Sequence, residues 1–282
     1  MASPAGIFHL SPFTLRTSSF MRKTVRLEPE HRICYNKAVT GGERMAEDPW
    51  VLRGTDENDP DRVKTADEAL SLINEWGFLP YFRNSVPGFS LEERTLAKDW
   101  WTGDPERDPW EWRRVIADSR RAVYGKFFRN KAAFISLEWF PLFAALRRNG
   151  YDFDARWEDE KAAYREKRVM DRFLEKNEWL SPQLKQAAGF GPGGDKNFSG
   201  IMTGLEMKTY LTVKDFRQRL NKKGFPFGWH VSVYATPESL WGRDFVTSAY
   251  DVKPLEIKEK ILSRARSLFP EASEQALTDL LI

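Results

Sequence analysis

The alternation of apolar and polar positions between residues 166 and 234 predicts three helices followed by a β-hairpin. Apolar side chains first recur at the spacing of one helix face and later alternate as they do in half-buried strands. The first predicted helix passes through Met170 and Leu174 and frays at Asn177 and Glu178, and the second starts at Ser181. A glycine-rich loop at 189–194 separates them from a third helix, which starts at about Asp195. Two strands follow, at 209–213 and 228–234, around a turn at 221–224. This order is typical of a winged helix-turn-helix.

A similar order of elements precedes this stretch. Residues 65–68 form a capping box, in which Thr65 and Glu68 satisfy backbone N–H groups at a helix start. That helix is predicted to end at Gly77, and an apolar extended segment follows at 78–82. A second capping box at 90–93 predicts another helix. A hairpin is predicted at 122–135, followed by a helix that is capped by Ser136 and runs to Arg147. We therefore expect an α+β fold, mostly α, with tandem winged-helix elements packed into one compact body.

The chain divides by composition into a tail and a folded part. Residues 1–44 are rich in Ser, Thr and Arg and have no acidic residue before Glu28, which is compatible with an organelle-targeting peptide. A start codon assigned too far upstream gives the same pattern, since Met21 and Met45 are alternative starts. The predicted divisions are a disordered or targeting tail with a polar linker at 1–61 and a domain at 62–281. Within the domain we expect an N-terminal helical and wing part with the Trp-rich loop at 62–150, the winged helix at 151–240 with a charged helix leading into it, and C-terminal helices at 241–281.

The net charge of +3 is carried by the tail. Residues 1–44 hold seven basic and three acidic residues, which leaves 37 basic against 38 acidic residues in the remainder. A nucleic acid would therefore be bound by a local patch. Residues 166–223 supply one, with twelve basic against seven acidic residues, and the candidate DNA-binding side chains are Lys196, Lys208, Arg217, Arg219, Lys222 and Lys223. The alternative is that these charges keep a surface hairpin soluble and discourage edge pairing.

Cysteine content and hydropathy limit the class of protein. The only cysteine, Cys34, excludes an internal disulfide and a cysteine-based metal site, so a reducing compartment such as the cytoplasm or nucleus is expected. No apolar run approaches the length that spans a bilayer. We expect a soluble protein with no membrane partner.

The most unusual segment surrounds a loop at residues 100–107. Asp108 followed by Pro109 predicts a helix start just after it. Carboxylates lie in and beside the loop, and the flanking tryptophans are Trp100, Trp101, Trp110 and Trp112. Such a group predicts an aromatic pocket that stacks a base or sugar ring. The alternative is that the tryptophans fill the boundary between two subdomains while the acids cap helices and turns.

Few residues offer catalytic chemistry. Histidine occurs only at positions 9, 31 and 230, and the loop at 189–194 has neither a P-loop nor a dinucleotide-binding pattern, so no metal or cofactor is predicted. Catalysis would have to use carboxylates, or Asn and Tyr groups that position a water. Glu138 is the first candidate and Asp104 the second. The alternative for Glu138 is a first-turn acid that complements the dipole of its helix.

Three segments resemble the AlkZ/YcaQ-like winged-helix DNA glycosylases, and most closely their divergent AlkZ-related branch. These segments are Trp101-Thr102-Gly103-Asp104-Pro105, Tyr124-Gly125-Lys126-Phe127-Phe128 and Tyr234-Ala235-Thr236-Pro237-Glu238. The resemblance extends over about residues 62–281. It implies tandem winged-helix elements around a concave DNA-facing channel, and metal-independent excision of alkylated or crosslinked bases.

One departure from the glycosylases affects the catalytic position. In those enzymes two glutamines separated by an apolar residue follow the first helix, whereas this chain has Leu79-Pro80-Tyr81 there. Three functions therefore remain: a protein that binds double-stranded DNA without catalysis, an active glycosylase or hydrolase that uses carboxylates near the Trp-rich loop, and a ligand- or protein-interaction domain on the same scaffold.

Overall fold

The computed structural model describes residues 52–228 and 230–282, and its first described helix has the predicted cap. Helix α1 (Ala66–Trp76) begins where Thr65 Oγ1 accepts the backbone N–H of Glu68 at 3.1 Å. Gly77 ends it at φ 91°, and a Cβ there would lie 2.6 Å from the Trp139 ring. Only glycine satisfies both the backbone angle and this close approach.

The remaining elements follow in chain order. The helices are α2 (Pro109–Ser119), α3 (Phe140–Arg148), α4 (Phe153–Glu158), α5 (Tyr164–Met170), α6 (Ser181–Ala187), α7 (Phe198–Met207), α8 (Pro237–Trp241), α9 (Arg243–Thr247), α10 (Pro254–Leu268) and α11 (Glu274–Leu281). The strands are β1 (Phe78–Pro80), β2 (Ala122–Phe128), β3 (Lys131–Ser136), β4 (Glu178–Leu180), β5 (Thr212–Arg217) and β6 (Val231–Ala235). Short 3-10 turns lie at Glu92–Arg94, Ala97–Asp99 and Asp171–Leu174. The α+β class predicted from the sequence is confirmed.

The strands form two antiparallel sheets with the same topology. Their orders are β1-β3-β2 and β4-β6-β5, so in each sheet a short early strand pairs with the second strand of a later hairpin. We call residues 66–136 the first sheet unit and residues 164–235 the second. In chain order, each unit has a helix, a short strand, a helical connection, a further helix and a hairpin. The helical connection consists of 3-10 turns in the first unit and of α6 in the second.

The two sheet units cover each other reciprocally. Helix α2 of the first unit packs on β5 of the second, while α7 of the second packs on β2 of the first. Thr212 Oγ1 donates a hydrogen bond to the Tyr124 carbonyl at 2.8 Å, and the Arg113 guanidinium lies 4.3 Å from the centroid of the Phe216 ring. Their buried residues consequently belong to one continuous core.

The helix predicted after the second capping box does not form. Ser90 and Glu93 do make the box, with the Ser90 hydroxyl 2.6 Å from Glu93 Oε2. The backbone N–H groups of Leu91 and Glu92, however, bond to the carbonyls of Pro80 and Tyr81 at 3.0 and 3.1 Å. This segment therefore covers the outer edge of β1, and only two 3-10 turns follow it. Tertiary hydrogen bonds outweigh the local helix signal.

A second difference lies at residues 177–180, which the pattern assigned to the end of a helix and the linker beyond it. Residues 178–180 are strand β4, with Trp179 opposite Tyr234 of β6. The buried indole of Trp179 donates its N–H to the Arg172 carbonyl at 2.8 Å, so the preceding turn holds it. The strand is too short to produce a recognisable alternation.

Other predicted boundaries shift by a few residues. Helix α3 begins at Phe140 instead of directly after Ser136, because residues 137–139 form a turn. The charged helix after Tyr151 is divided into α4 and α5, and Glu160 between them has a left-handed φ of 57°, which a continuous α-helix does not allow. The hairpin at 122–135 lies close to its predicted position, whereas β5 begins at Thr212 instead of residue 209 and α7 begins at Phe198 instead of Asp195.

Residues 52–63, predicted as part of a polar linker, hydrogen-bond to the body. Thr55 N–H donates to the Thr95 carbonyl at 2.8 Å and Val63 N–H to the Arg94 carbonyl at 2.7 Å. A Cβ on Gly54 would approach Ala97 N to 2.5 Å, so the two segments are in close contact. The predictions about the tail, including Cys34, Met21 and Met45, lie outside the described residues. The division at 61 and 62 stays a prediction.

Arg148, at the end of α3, carries a fully buried charge that joins several elements. Its Nε donates to Thr209 Oγ1 at 3.1 Å, and its Nη1 donates to the Tyr250 hydroxyl at 3.3 Å and to the Glu238 carboxylate. The guanidinium also lies 4.6 Å from the centroid of the Tyr210 ring. Glu238, the last residue of the family-like segment from Tyr234 to Glu238 (Tyr-x-x-x-Glu), is thus the counter-ion of a buried arginine.

We predict that Glu238→Ala lowers the free energy of unfolding by about 3–5 kcal/mol, because it leaves the Arg148 cation buried without a counter-ion. Glu238→Gln should cost less, since an amide oxygen still accepts a hydrogen bond from Arg148. Urea unfolding followed by circular dichroism measures both losses.

Arg243→Gln is the matched control, because it removes one partner of an exposed ion pair in which Arg243 Nη2 and Asp152 Oδ2 are 2.6 Å apart. Exposed pairs contribute little, so its unfolding midpoint should match that of the unmodified chain. Equal losses in the Glu238 and Arg243 variants would contradict the assigned role of Arg148.

Candidate nucleic-acid interface and a buried carboxylate

The connection between β5 and β6 forms a protruding hairpin tip, defined here as residues 218–228. The Gln218 amide donates to the carbonyls of Phe227 and Gly228 at 3.0 and 2.9 Å. Asn221 Oδ1 accepts the backbone N–H groups of Lys223 and Phe225 at 2.8 and 3.1 Å. These bonds all lie within the tip, so it is shaped by its own sequence.

The hairpin tip combines positive charge with exposed apolar surface. Arg219, Lys222 and Lys223 are exposed, and residues 218–228 include no acid. The apolar side chains on the same tip are exposed to 61% at Leu220, 63% at Phe225 and 40% at Phe227. Cations can neutralise phosphates, and rings of this kind can pack against bases or against an apolar partner surface.

The other predicted DNA-binding residues lie elsewhere or have carboxylate partners. Lys208 Nζ is 2.6 Å from Glu166 Oε1. Arg217 lies 2.8 Å from a Glu178 oxygen and 3.0 Å from an Asp215 oxygen. Lys196 is exposed in the loop before α7. The structure therefore gathers three of the six candidates, Arg219, Lys222 and Lys223, on one protrusion.

Helix α7, the third helix of the second sheet unit, offers little to a DNA groove. It contains no Lys or Arg, and its buried side chains, which include Phe198, Met202 and Leu205, pack toward β2 and the core. Base edges in the major groove are commonly read by arginine, lysine, asparagine or glutamine side chains. None of these is present between residues 198 and 207.

The four tryptophans of the loop segment have different environments. Trp100 and Trp112 are buried, and their indole N–H groups donate to Thr95 Oγ1 at 2.9 Å and to the Glu106 carbonyl at 3.1 Å. Trp101 is 47% exposed. The half-buried Trp110 lies beneath the Arg113 guanidinium, 3.3 Å from its ring centroid. The structure thus places two of the rings in the core and two nearer the surface.

Asp108 organises the loop that carries these tryptophans. Its buried carboxylate accepts three backbone N–H groups, from Trp101 at 3.0 Å, Trp110 at 2.8 Å and Gly103 at 2.9 Å. One side chain therefore caps α2 and fixes the loop before it.

The two carboxylates proposed as catalytic groups lie on the surface. Glu138 is exposed in the turn before α3. Asp104 is also exposed, and its Oδ1 accepts the Glu106 N–H at 3.0 Å while its carbonyl accepts the Asp108 N–H at 2.7 Å. Asp104 is thus engaged in the loop's own turn.

The position of the glycosylases' glutamine pair is filled by packed side chains. Leu79 and Tyr81 are both fully buried. The Tyr81 hydroxyl donates to the Pro109 carbonyl, and burial holds its pKa well above the usual range. Its ring meets those of Trp100 and Trp110 edge-on, at centroid distances of 5.4 and 6.4 Å. A side chain in this environment cannot orient a water.

Glu206, which the sequence pattern did not predict as a site residue, is a carboxylate at the contact between the two sheet units. It is 1% exposed, and its Oε2 accepts the Lys126 N–H at 2.8 Å. The Tyr234 hydroxyl also bonds to this carboxylate, whereas Oε1 has no hydrogen-bond partner in the described part of the chain. Burial raises the pKa of Glu206 to about 7, against the opposing effect of Lys126.

A sequence signal for Glu206 does exist. It is the single charged residue in the otherwise uncharged helix Phe198–Met207. Its two partners, Lys126 and Tyr234, belong to two of the segments that carry the family resemblance. An isolated carboxylate on an apolar helix could therefore have been assigned to a buried polar contact.

The fold and this site define an α+β protein with two matched sheet units and a cationic hairpin. A family model described as AlkZ related matches residues 63–281, and the chain therefore belongs to the AlkZ-related family. This confirms the resemblance read from the sequence. Comparison with curated proteins and with solved structures gave no match.

Two further findings concern the described residues, 52–228 and 230–282. None of their helices is both long enough and apolar enough to cross a membrane. Their His, Cys, Asp and Glu side chains include no group of three or more that could hold a metal ion.

We predict that Glu206 makes stability fall as pH rises toward 8. The pKa is about 7 in the folded chain and 4.5 for an unperturbed glutamate side chain, so the folded state favours the neutral acid. Its stabilising contribution is complete below pH 4.5 and is lost as pH rises through 7, and the loss amounts to about 3 kcal/mol. Urea unfolding at pH 5, 6, 7 and 8 measures it.

Glu206→Gln should remove this part of the pH dependence, because an amide does not titrate. Glu138→Gln is the control, since it changes an exposed carboxylate to the corresponding amide and should leave the slope as it is. If Glu206→Gln retains the full slope between pH 5 and 8, Glu206 is not the group responsible.

Proposed function

We propose that this chain binds double-stranded DNA through the hairpin tip and that its two sheet units are winged-helix elements. In this assignment β1 and β4 are the short first strands, and α2 and α7 are the third helices. The β2–β3 and β5–β6 hairpins are the wings. The shared strand orders and the reciprocal packing of the units support it.

The observation that carries the proposal is the composition of the tip. Three exposed cations without a neighbouring acid in residues 218–228 form a local patch on a chain whose folded part has nearly balanced charge. A wing of this kind neutralises backbone phosphates, and each contact releases condensed counter-ions. Three contacts correspond to a salt slope of about −3 in a double-logarithmic plot of affinity against salt concentration.

Binding by this surface should depend weakly on base sequence. Phosphate contacts position a protein on DNA, whereas base contacts specify the sequence. Helix α7 supports no base readout, because it has no cation or amide side chain and one face is buried against β2. We therefore assign the affinity to the DNA backbone.

We propose further that the chain does not excise bases by the glutamine mechanism of its glycosylase relatives. The corresponding position is filled by Leu79, Pro80 and Tyr81, and the two candidate carboxylates, Glu138 and Asp104, are exposed on the surface. Incubation with an alkylated duplex should release no modified base above the rate without protein. Release that Glu138→Gln abolishes would establish the glycosylase alternative instead.

A protein partner is the second candidate function, and the exposed Leu220, Phe225 and Phe227 side chains favour it. Apolar residues at a protruding tip can anchor in a pocket on another protein. The two functions differ in their dependence on salt, because an apolar anchor is insensitive to counter-ion release.

We predict that Lys222→Glu combined with Lys223→Glu weakens duplex DNA binding at least tenfold in 0.1 M salt. The slope of log affinity against log salt should become shallower by about two, because two phosphate contacts are lost. Fluorescence anisotropy of a labelled duplex, titrated at several salt concentrations, gives both quantities.

Lys253→Glu combined with Lys258→Glu is the matched control, because it makes the same change in charge at the start of α10 and within it. Its affinity and slope should remain close to those of the unmodified chain. Equal weakening by both double variants would assign binding to net charge, and no weakening by either would exclude the hairpin tip.

A further inference from the structure

A small polar pocket lies where the segment before α1 meets the 3-10 turn after β1. Its volume is about 100 Å³, and its lining residues are Glu57, Arg62, Val63, Lys64, Leu96, Asp99 and Arg107. Five of these seven side chains are charged. The pocket is too small for a nucleotide and has room for a single compact ion or a few waters.

The pocket is held by backbone hydrogen bonds on both sides. Val63 N–H donates to the Arg94 carbonyl at 2.7 Å, and Arg62 N–H donates to the Asp59 carbonyl at 3.2 Å. Asp99 N–H donates to the Leu96 carbonyl at 3.1 Å on the opposite wall. The charged side chains therefore project from a fixed backbone.

The two carboxylates in the pocket already have cationic partners. Glu57 Oε1 lies 2.9 Å from Lys98 Nζ, and Asp99 Oδ1 lies 3.0 Å from Arg107 Nη2. The lining itself holds three cations, Arg62, Lys64 and Arg107, against two carboxylates. Lys98 and, more weakly, Arg62 lower the pKa of Glu57, so Arg62 acts on this carboxylate without forming a salt bridge with a described residue.

Arg62 adds an observation that concerns a single atom. Its Nη1 is buried and has no hydrogen-bond acceptor among the described residues. A buried donor without an acceptor is unfavourable, so an acceptor supplied from outside the chain would be bound favourably. A guanidinium presents its N–H groups as a planar fork that matches the oxygens of a phosphate.

We propose that this pocket binds a phosphate group, with the Arg62 guanidinium as the directional donor and Lys64 as a second positive charge. A tetrahedral oxyanion offers acceptors in several directions, which suits cations that approach from different walls. The phosphate can belong to a nucleic-acid backbone or be free in solution. The pocket's affinity for phosphate does not depend on the proposed role of the hairpin tip.

The first test is a titration of the full chain with inorganic phosphate, followed by ¹H–¹⁵N NMR of the backbone amides and the Arg62 Nε–H group. We expect saturable shifts centred on Arg62, Val63 and Lys64. Arg62→Gln should weaken this binding at least tenfold. Lys64→Gln should weaken it several-fold and serves as the second variant, with folding of each checked by thermal unfolding.

Arg53→Gln is the matched control. It removes one positive charge from an exposed side chain in the same segment and outside the pocket lining, so phosphate affinity should stay within twofold. The absence of saturable shifts in the unmodified chain would overturn the proposal, and so would equal weakening in Arg53→Gln and Arg62→Gln.

A second arm identifies the source of the phosphate. If a DNA backbone occupies the pocket, Arg62→Gln combined with Lys64→Gln should make the salt slope of duplex binding shallower by about one, because one phosphate contact is lost. An unchanged slope together with saturable inorganic phosphate binding assigns the pocket to free phosphate or a small phosphate ester. Failure of DNA binding as a whole would leave the result with inorganic phosphate standing.

Discussion

The reciprocal cover between the two sheet units is the constraint on which the rest of the structure depends. A unit of about seventy residues has a small core, so the apolar faces of its helices and three-stranded sheet are only marginally buried within the unit itself. Here α2 covers β5 and α7 covers β2, so each unit completes the core of the other. The same arrangement occupies α2 and α7, the helices that precede the two hairpins. The hairpin tip, which lies at the periphery, remains available to a partner.

Burying polar groups at and near this contact makes its geometry specific. Arg148 and Glu206 are both excluded from solvent, and each would be costly in any arrangement that removed its partners. Glu238 is the counter-ion of Arg148, and the Tyr234 hydroxyl forms a hydrogen bond with Glu206. Two residues of the family-like Tyr-x-x-x-Glu segment therefore have structural roles. Similarity in that segment therefore indicates a shared scaffold and gives no information about chemistry.

The sequence predicted those parts of the fold in which local signals and tertiary contacts agree. The Thr65 cap, the Asp108–Pro109 helix start and the alternation of the hairpin strands all act within a few residues. The missing helix after Ser90 and the short strand β4 depend on hydrogen bonds to distant segments, which no local pattern contains. At the candidate site the cationic tip could be read from composition. The partners of Lys208 and the burial of Glu206 needed the packing of one unit on the other.

The buried ring of Tyr81 has a consequence for the engineering of this chain. Its ring supports Trp100 and Trp110, and its hydroxyl binds the turn that opens α2. Substituting glutamine here would remove that support from both rings and from the start of α2, so this single exchange would weaken the fold. A glutamine pair at positions 79 and 81 would therefore require new packing around Trp100 and Trp110 at the same time.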